Sequence, residues 1–245
     1  MPQQPKGHVH PISSLIREAN RIFLQMGFTF AEGPLLESEK YNFDFLNFQK
    51  DHPARDMQDT FFMKDEDRMV LRTHTSNVQV RYMEEQIKKG VQPPYRMVAM
   101  GKVFRNEATD ITHEAEFYQV EGMVIGEDIT MAHLRGTLTE FFGKLMGGQA
   151  EIRFRPSFFP FVEPGLEVDM RVMGDSVPEK LRGRWIEIMG AGMVHPNVLK
   201  ASGVDPSKYQ GFAFGGGIDR LAILRWGIDD IRLMHSADLR FVNQF

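Results

Sequence analysis

Arg105, Glu107, Gln119 and Glu121 are four hydrogen-bonding side chains spaced so that they can converge over one surface. Residues 96–125, RMVAMGKVFRNEATDITHEAEFYQVEGMVI, read as two strands joined by a polar loop. Arg105 and Glu107 lie two apart, as do Gln119 and Glu121, and residues two apart in a pleated strand point to the same side. On the second run Phe117, Gln119, Glu121, Met123 and Ile125 alternate with Tyr118, Val120, Gly122 and Val124. The loop over 108–116 adds Asp110, Thr112, His113, Glu114 and Glu116, which suits a charged ligand better than a core. An ordinary solvated sheet face is the competing reading of this stretch alone. A second candidate stands in GFAFGGGIDRLAILRWG, where a strand through 212–214 meets three glycines and a helix from Ile218 carries Arg220 in its first turn. Glycines there allow close approach of a ligand, and a helix N-terminus favours anions. The spacing is that of neither a Walker loop nor a dinucleotide fingerprint. Two arginines, each a permanently charged two-pronged donor, point together to phosphate.

Ile12, Leu15, Ile16, Ala19, Ile22, Phe23 and Met26 fall at helical spacing, predicting an amphipathic helix over 11–26 with Pro11 in its first turn. A strand over 28–32 follows, stopped at Gly33-Pro34; helix and strand fit either a core edge or a dimer interface. Residues 37–64 are rich in phenylalanine but irregular, the pattern of a long packed loop covering something. After a short strand at 69–72, Ser76 either caps a helix to Lys89 or, with His74, faces the same cavity as the hairpin. Asp128 is the expected cap of a helix to Met146. Phe158, Phe159 and Phe161 between prolines predict a rigid aromatic wall, or plain core. Further strands are expected at 167–173 and 185–189 with a polar turn over 174–183, then a turn at 190–193 into a short helix. Hairpin-linked strands with helices outside give an α+β fold. Its antiparallel sheet is covered on one face and carries a polar site on the other.

Composition narrows the class of protein. The 245 residues are 42% hydrophobic and 25% charged, with a net charge of -4 and no cysteine. That is an ordinary globular composition, without the broad basic surface of a nucleic-acid binder and without disulfide or thiolate metal sites. No apolar run approaches the roughly 18–20 residues of a membrane span. A cytoplasmic protein is expected, with a flexible lead-in over 1–10 and a single catalytic domain over 11–245.

GKVFRNEATDITHEAEFYQVEG resembles motif 2 of the class II aminoacyl-tRNA synthetases, FGGGIDRLAIL resembles motif 3, and the first helix with GFTFAEGP resembles motif 1. RTHTS, NFDFLNFQKDHPARDMQDTFF, FFPFVEPG, GAGMVHPNV and the closing GIDDIRLMHSADLRFVNQF are similar to the bacterial-type phenylalanyl-tRNA synthetase α-subunit family. The resemblance spans residues 10–245. It implies activation of L-phenylalanine with ATP and Mg2+ to phenylalanyl-adenylate, then transfer to tRNA(Phe). Arg105 would hold the α-phosphate as the catalytic residue, Glu107 would accept from the adenine amino group, and the base would stack between Phe117 and Arg220. His113 and Arg220 would meet the outer phosphates with magnesium, whose protein ligands the resemblance does not specify. His74, Ser76, Gln119 and Glu121 would fix the ammonium and carboxylate of the amino acid, with Gln58 in the loop closing over them. Phe159 and Phe161 would pack against its ring, with Val162 and Ala213 setting the pocket depth. A homodimer through the helix over 11–26 and the strand to Pro34 is expected, or assembly with a large β subunit. Motif 3 commonly carries Glu where this chain has Asp219, one methylene shorter. Family members also carry an N-terminal coiled-coil arm that grips tRNA, whereas this chain starts almost at motif 1, so transfer is expected to need that arm or a partner. The alternative is a catalytically weak or inactive paralogue that binds an amino acid or adenylate for regulation or assembly.

Overall fold

The alternation of 117–125 is built into the centre of a seven-stranded sheet of order β1-β4-β5-β9-β8-β7-β6. The computed structural model describes residues 7–55, 59–64, 67–111, 113–173 and 181–245. The large sheet comprises β1 (Thr29–Phe30), β4 (Tyr95–Phe104), β5 (Glu116–Gly126), β6 (Ala150–Phe159), β7 (Val162–Val172), β8 (Ile186–Val194) and β9 (Gln210–Gly217). Its pairs are antiparallel except β1 with β4, which is parallel. A small second sheet pairs β2 (Leu36–Ser38) with β3 (Met69–Leu71). The helices are α1 (Pro11–Gln25), α2 (Glu39–Asn42), α3 (Asn77–Lys88), α4 (Met131–Leu145), α5 (Pro196–Ala201), α6 (Ile218–Trp226) and α7 (Leu239–Val242).

Strand alternation separates two apolar clusters. Val120 and Val124 of β5, with Phe212 and Phe214 of β9, turn toward α1, α4 and α6, where Phe23 stacks on Phe141 at 4.2 Å. Removing these rings from water supplies much of the drive to cover that face. Met123 and Ile125 look the other way, with Met97, Ala99 and Ala213, under α3 and α5. The opposite end of this second face is polar, because Gln119 and Glu121 stand there in register with Gly101 and Ala99 of β4 and with Gly217 and Gly215 of β9. One strand thus carries a core on one side and a half-polar floor on the other.

Several local expectations are revised. The N-cap of α4 is Thr130, whose N–H donates to His133 Nδ1 at 3.0 Å, and not Asp128. Ser76 occupies the N-cap position of α3 with helical φ and ψ and makes no capping bond, so its side chain is left for the cavity. Residues 190–193 form part of β8, not a turn, since 190–192 pair with both β7 and β9 and Met193 with β9. Phe158 is 74% exposed, so the aromatic wall consists of Phe159 and Phe161 only; alternation along β6 turns their neighbour outward. Of the expected polar turn at 174–183, residues 174–180 lie outside the described residues, as do 1–6 of the lead-in. His10 caps α1 by accepting from the Ile12 N–H at 3.3 Å, and His8 Nδ1 meets the Phe245 carbonyl oxygen at 2.7 Å. No helix among the described residues is long and apolar enough to cross a membrane.

Candidate active site

Arg105 leaves β4 one residue past its end, and its backbone N–H still donates to the Ala115 carbonyl at 2.9 Å, so the guanidinium springs from a fixed base. Its Nε donates to the Thr73 carbonyl at 3.2 Å, Nη1 lies 3.7 Å from Glu107, and the group sits 5.1 Å from the centroid of the Phe117 ring. The side chain is 38% exposed, in a crevice. Burial depresses its pKa, Glu107 opposes that, and the charge of Arg220 adds to the depression. The two arginines, 115 positions apart in sequence, therefore share one electrostatic environment. Arg220 extends from the first turn of α6 and donates from Nη1 to the Glu187 carbonyl at 3.0 Å. His113 stands in the loop with Nδ1 3.1 Å from Asp110. Arg105, Glu107 and Phe117 are thus in contact, Arg220 is near enough for its charge to act on Arg105, and His113 stands in the loop that follows them.

The floor beyond Arg105 holds a carboxyl in unusual circumstances. Glu121 is 3% exposed, and burial pushes its pKa up to about 8 against hydrogen bonds from Gln79, Ser76 and Thr75. The Thr75 hydroxyl donates to it at 3.4 Å, and Gln79 Nε2 donates to its other oxygen. None of these neighbours is a cation. The Gln119 side-chain oxygen accepts from the Thr75 N–H at 3.2 Å. Burial together with the charge of Arg105 pushes the His74 pKa down to about 3, against a weak backbone interaction with Asn42 that is too poorly aligned to satisfy either buried ring nitrogen.

Room for Glu121 depends on its neighbour in β9. A Cβ at Gly215 would fall 2.4 Å from Glu121 Oε2, so Gly215→Ala is expected to push the carboxyl aside. The fold should survive, because the clash is with the end of a side chain. If phenylalanine binds at Glu121, its affinity should fall roughly tenfold and that for ATP should stay within a factor of two, as calorimetry can measure.

An aromatic cluster packs on the same face of the sheet, with Phe159 over Gly190, which pairs with the Gly215 that faces Glu121. Phe159 and Phe161 stack with centroids 5.8 Å apart, and Phe161 continues to Phe48 at 5.8 Å and His74 at 6.5 Å. Phe48 belongs to the long loop, which is tied down where Asn47 Nδ2 donates to the Pro160 carbonyl at 2.7 Å. Within 37–64 the chain forms α2 and two 3-10 turns where one irregular loop was expected, and Phe48 stacks 6.0 Å from His74. Val162 and Ala213 are buried at the base of the aromatic cluster, with Gly192 of β8 between them: Gly192 pairs with Ala213, and a Cβ there would meet Val162. Gln58 lies outside the described residues. Thr75 and Gln79, which hold Glu121, were not singled out from sequence. The signal for Gln79 was its position three residues past Ser76, on the same face of α3.

No group of three or more His, Asp or Glu side chains among the described residues could hold a metal ion.

The mostly antiparallel sheet has α1, α4 and α6 on one face and α3 and α5 over part of the other, so both faces are partly covered and the expectation of helices on one face only is corrected. Residues 1–245 match the model for the tRNA synthetases class II core domain (F), and the chain belongs to that family. Its relatives narrow the kind. It is 49% identical over 257 residues to the phenylalanine–tRNA ligase alpha subunit of Caldanaerobacter subterraneus subsp. tengcongensis, covering 100% of this chain and 72% of that protein. The alpha subunit of the same ligase from Anoxybacillus flavithermus is 50% identical over 250 residues (100% and 71%), and that from Leptospira biflexa 47% over 248 residues (100% and 71%).

Proposed function

We infer that this chain is the catalytic domain of a phenylalanine–tRNA ligase, spanning residues 11–245 and working in the cytoplasm. It activates L-phenylalanine with MgATP and serves transfer of the aminoacyl group to tRNA(Phe). The observation that carries the reading is Glu121: a buried carboxyl whose hydrogen-bond partners among the described residues are all uncharged, on the strand that also carries Phe117 beneath Arg105. An α-ammonium supplies the missing charge, and the stacked pair of Phe159 and Phe161 accepts an apolar ring.

In this reading the phenylalanine carboxylate oxygen attacks the α-phosphorus of ATP. The new O–P bond forms as the bond to the β-phosphate oxygen breaks, and pyrophosphate leaves. Arg105 holds the α-phosphate and neutralises the charge that grows on it, while Phe117 and Arg220 take the two faces of adenine and Glu107 accepts from its amino group. His113 and Arg220 meet the outer phosphates. Gln119, His74, Ser76 and Gln58 fix the amino acid, and Phe159, Phe161, Val162 and Ala213 enclose its ring. The protein supplies orientation and charge, with no covalent nucleophile. Mg2+ bound through the ATP phosphates would supply screening of their negative charge beside His113 and Arg220.

Assembly follows the same reading. Leu24, Phe30, Leu35 and Leu36 are exposed around the end of α1, β1 and β2, and we assign this surface to a homodimer contact or to the β subunit. A non-catalytic paralogue is not favoured, because the relatives that match the whole chain carry the ligase name. The test is phenylalanine-dependent exchange of labelled pyrophosphate into ATP, with the chain alone and with a family β subunit added. Exchange that requires phenylalanine supports the reading. ATP binding without exchange in both samples overturns it.

Ala213 is 3% exposed at the base of the pocket, and Ala213→Gly removes one methyl there. The variant is expected to accept para-chlorophenylalanine in the exchange assay and to discriminate against tyrosine roughly tenfold less well than the parent. Unaltered discrimination would remove Ala213 from the pocket.

A further inference from the structure

Asp219 is 1% exposed and stands beside Arg220 without bonding to it. One carboxylate oxygen accepts from the Tyr118 N–H at 2.7 Å, and the other lies 2.7 Å from His235 Nε2. Tyr118 follows Phe117 and Asp219 precedes Arg220, so this one carboxylate staples together the residues next to the two faces of the adenine slot. His235 comes from the segment after α6, which is itself fastened to the loop over 105–116 by the Ile231 N–H donating to the Ile111 carbonyl at 3.1 Å. The segment therefore touches the loop that follows Arg105 and the helix that carries Arg220.

We propose that His235 is a positioning residue for nucleotide binding: by holding Asp219, it fixes the separation between Phe117 and Arg220 and so the width of the adenine slot. The proposal rests on the reading of Phe117 and Arg220 as that slot. A buried carboxylate served only by Tyr118 would keep one oxygen without a donor, at a cost that favours rotation away from β5. His235 supplies the second donor and removes that incentive.

The charged groups facing His235 are Asp219 on α6 and, from the loop and the start of β5, Glu114 and Glu116. The Asp219 hydrogen bond raises the histidine pKa against the opposing effect of burial. A pKa raised in the folded protein means that the charged contact is complete below the ordinary histidine range and is lost as pH rises through the raised value. Above it the neutral ring still donates from Nε2, and the staple is weaker but present.

The experiment measures ATP and phenylalanine affinities by calorimetry on the full chain, for the parent, His235→Ala and His235→Gln, across pH 6 to 9. Glutamine keeps an uncharged amide donor at similar reach. His235→Ala is expected to weaken ATP binding roughly tenfold and leave phenylalanine within a factor of two. His235→Gln should recover most of the loss and lack the pH-dependent step that the parent shows; ionisation of ATP is common to all three proteins and cancels in the comparison. Equal losses for both substrates, unrecovered by glutamine, would mean that His235 only stabilises the fold and would overturn the proposal. Phe117→Ala and Arg220→Ala separate the two levels: if neither weakens ATP binding, the slot reading fails. If both do and His235→Ala does not, the positioning role alone fails.

Discussion

Arg105→Ala is expected to slow phenylalanine-dependent pyrophosphate exchange about a thousandfold in kcat, with phenylalanine affinity nearly unchanged. The loss is larger than that of an ordinary surface charge because the guanidinium is held in advance by the Thr73 carbonyl, Glu107 and the Phe117 ring. A preoriented donor aimed at developing charge needs no reorganisation when that charge appears, and removing one typically costs about 10²–10³ in rate. Arg105→Lys should keep the charge and lose the fork, leaving an intermediate rate. Equal exchange by parent and Arg105→Ala would exclude this side chain from the chemistry.

The second large effect couples stability to function with opposite signs. Glu121→Gln should raise the melting temperature at pH 9 and abolish phenylalanine binding. The carboxyl pKa stands at about 8, against 4.5 for an ordinary glutamate. A raised folded-state pKa means that stability from this group is complete below pH 4.5 and lost as pH rises through about 8, where an uncompensated charge is forced into the interior. Glutamine has similar shape and no charge, so it escapes that loss. We expect a gain on the order of 1–3 kcal/mol at pH 9, or several degrees, shrinking to nothing near pH 5. Phenylalanine affinity should fall at least ~100-fold, since the amide cannot pair with the ammonium. Thermal melts at both pH values and calorimetry with phenylalanine check the two halves independently. A Glu121→Gln protein that melts lower at pH 9, or still binds phenylalanine, would show that the carboxyl is not held in reserve for a cation.

What the sequence made legible follows from period. The alternation through 117–125 predicts which side of β5 carries Gln119 and Glu121, and the structure keeps that side. Helical spacing gives α1 to within a residue. Glycines misled at 190–192 because their local meaning is a turn, whereas here they sit in a central strand next to bulky neighbours: Phe159 lies over Gly190 and Val162 over Gly192. The aromatic wall was overdrawn by Phe158, since composition groups three rings that strand alternation divides. Thr75 and His235 could not be found from period at all, and Gln79 only through its place three residues past Ser76. Each acts through a contact with a residue at least 16 positions away, and register between distant elements carries no local signature.

The central claim is that one adenylate spans the Arg105–Arg220 crevice and the Glu121 floor, and a structure of the protein with a non-hydrolysable phenylalanyl-adenylate analogue tests it most directly. The account predicts the base between Phe117 and Arg220, the phosphate mimic on Arg105, the ammonium within hydrogen-bonding distance of Glu121 and the ring between Phe159 and Ala213. An analogue bound elsewhere, or lying with its ammonium away from Glu121, would contradict it.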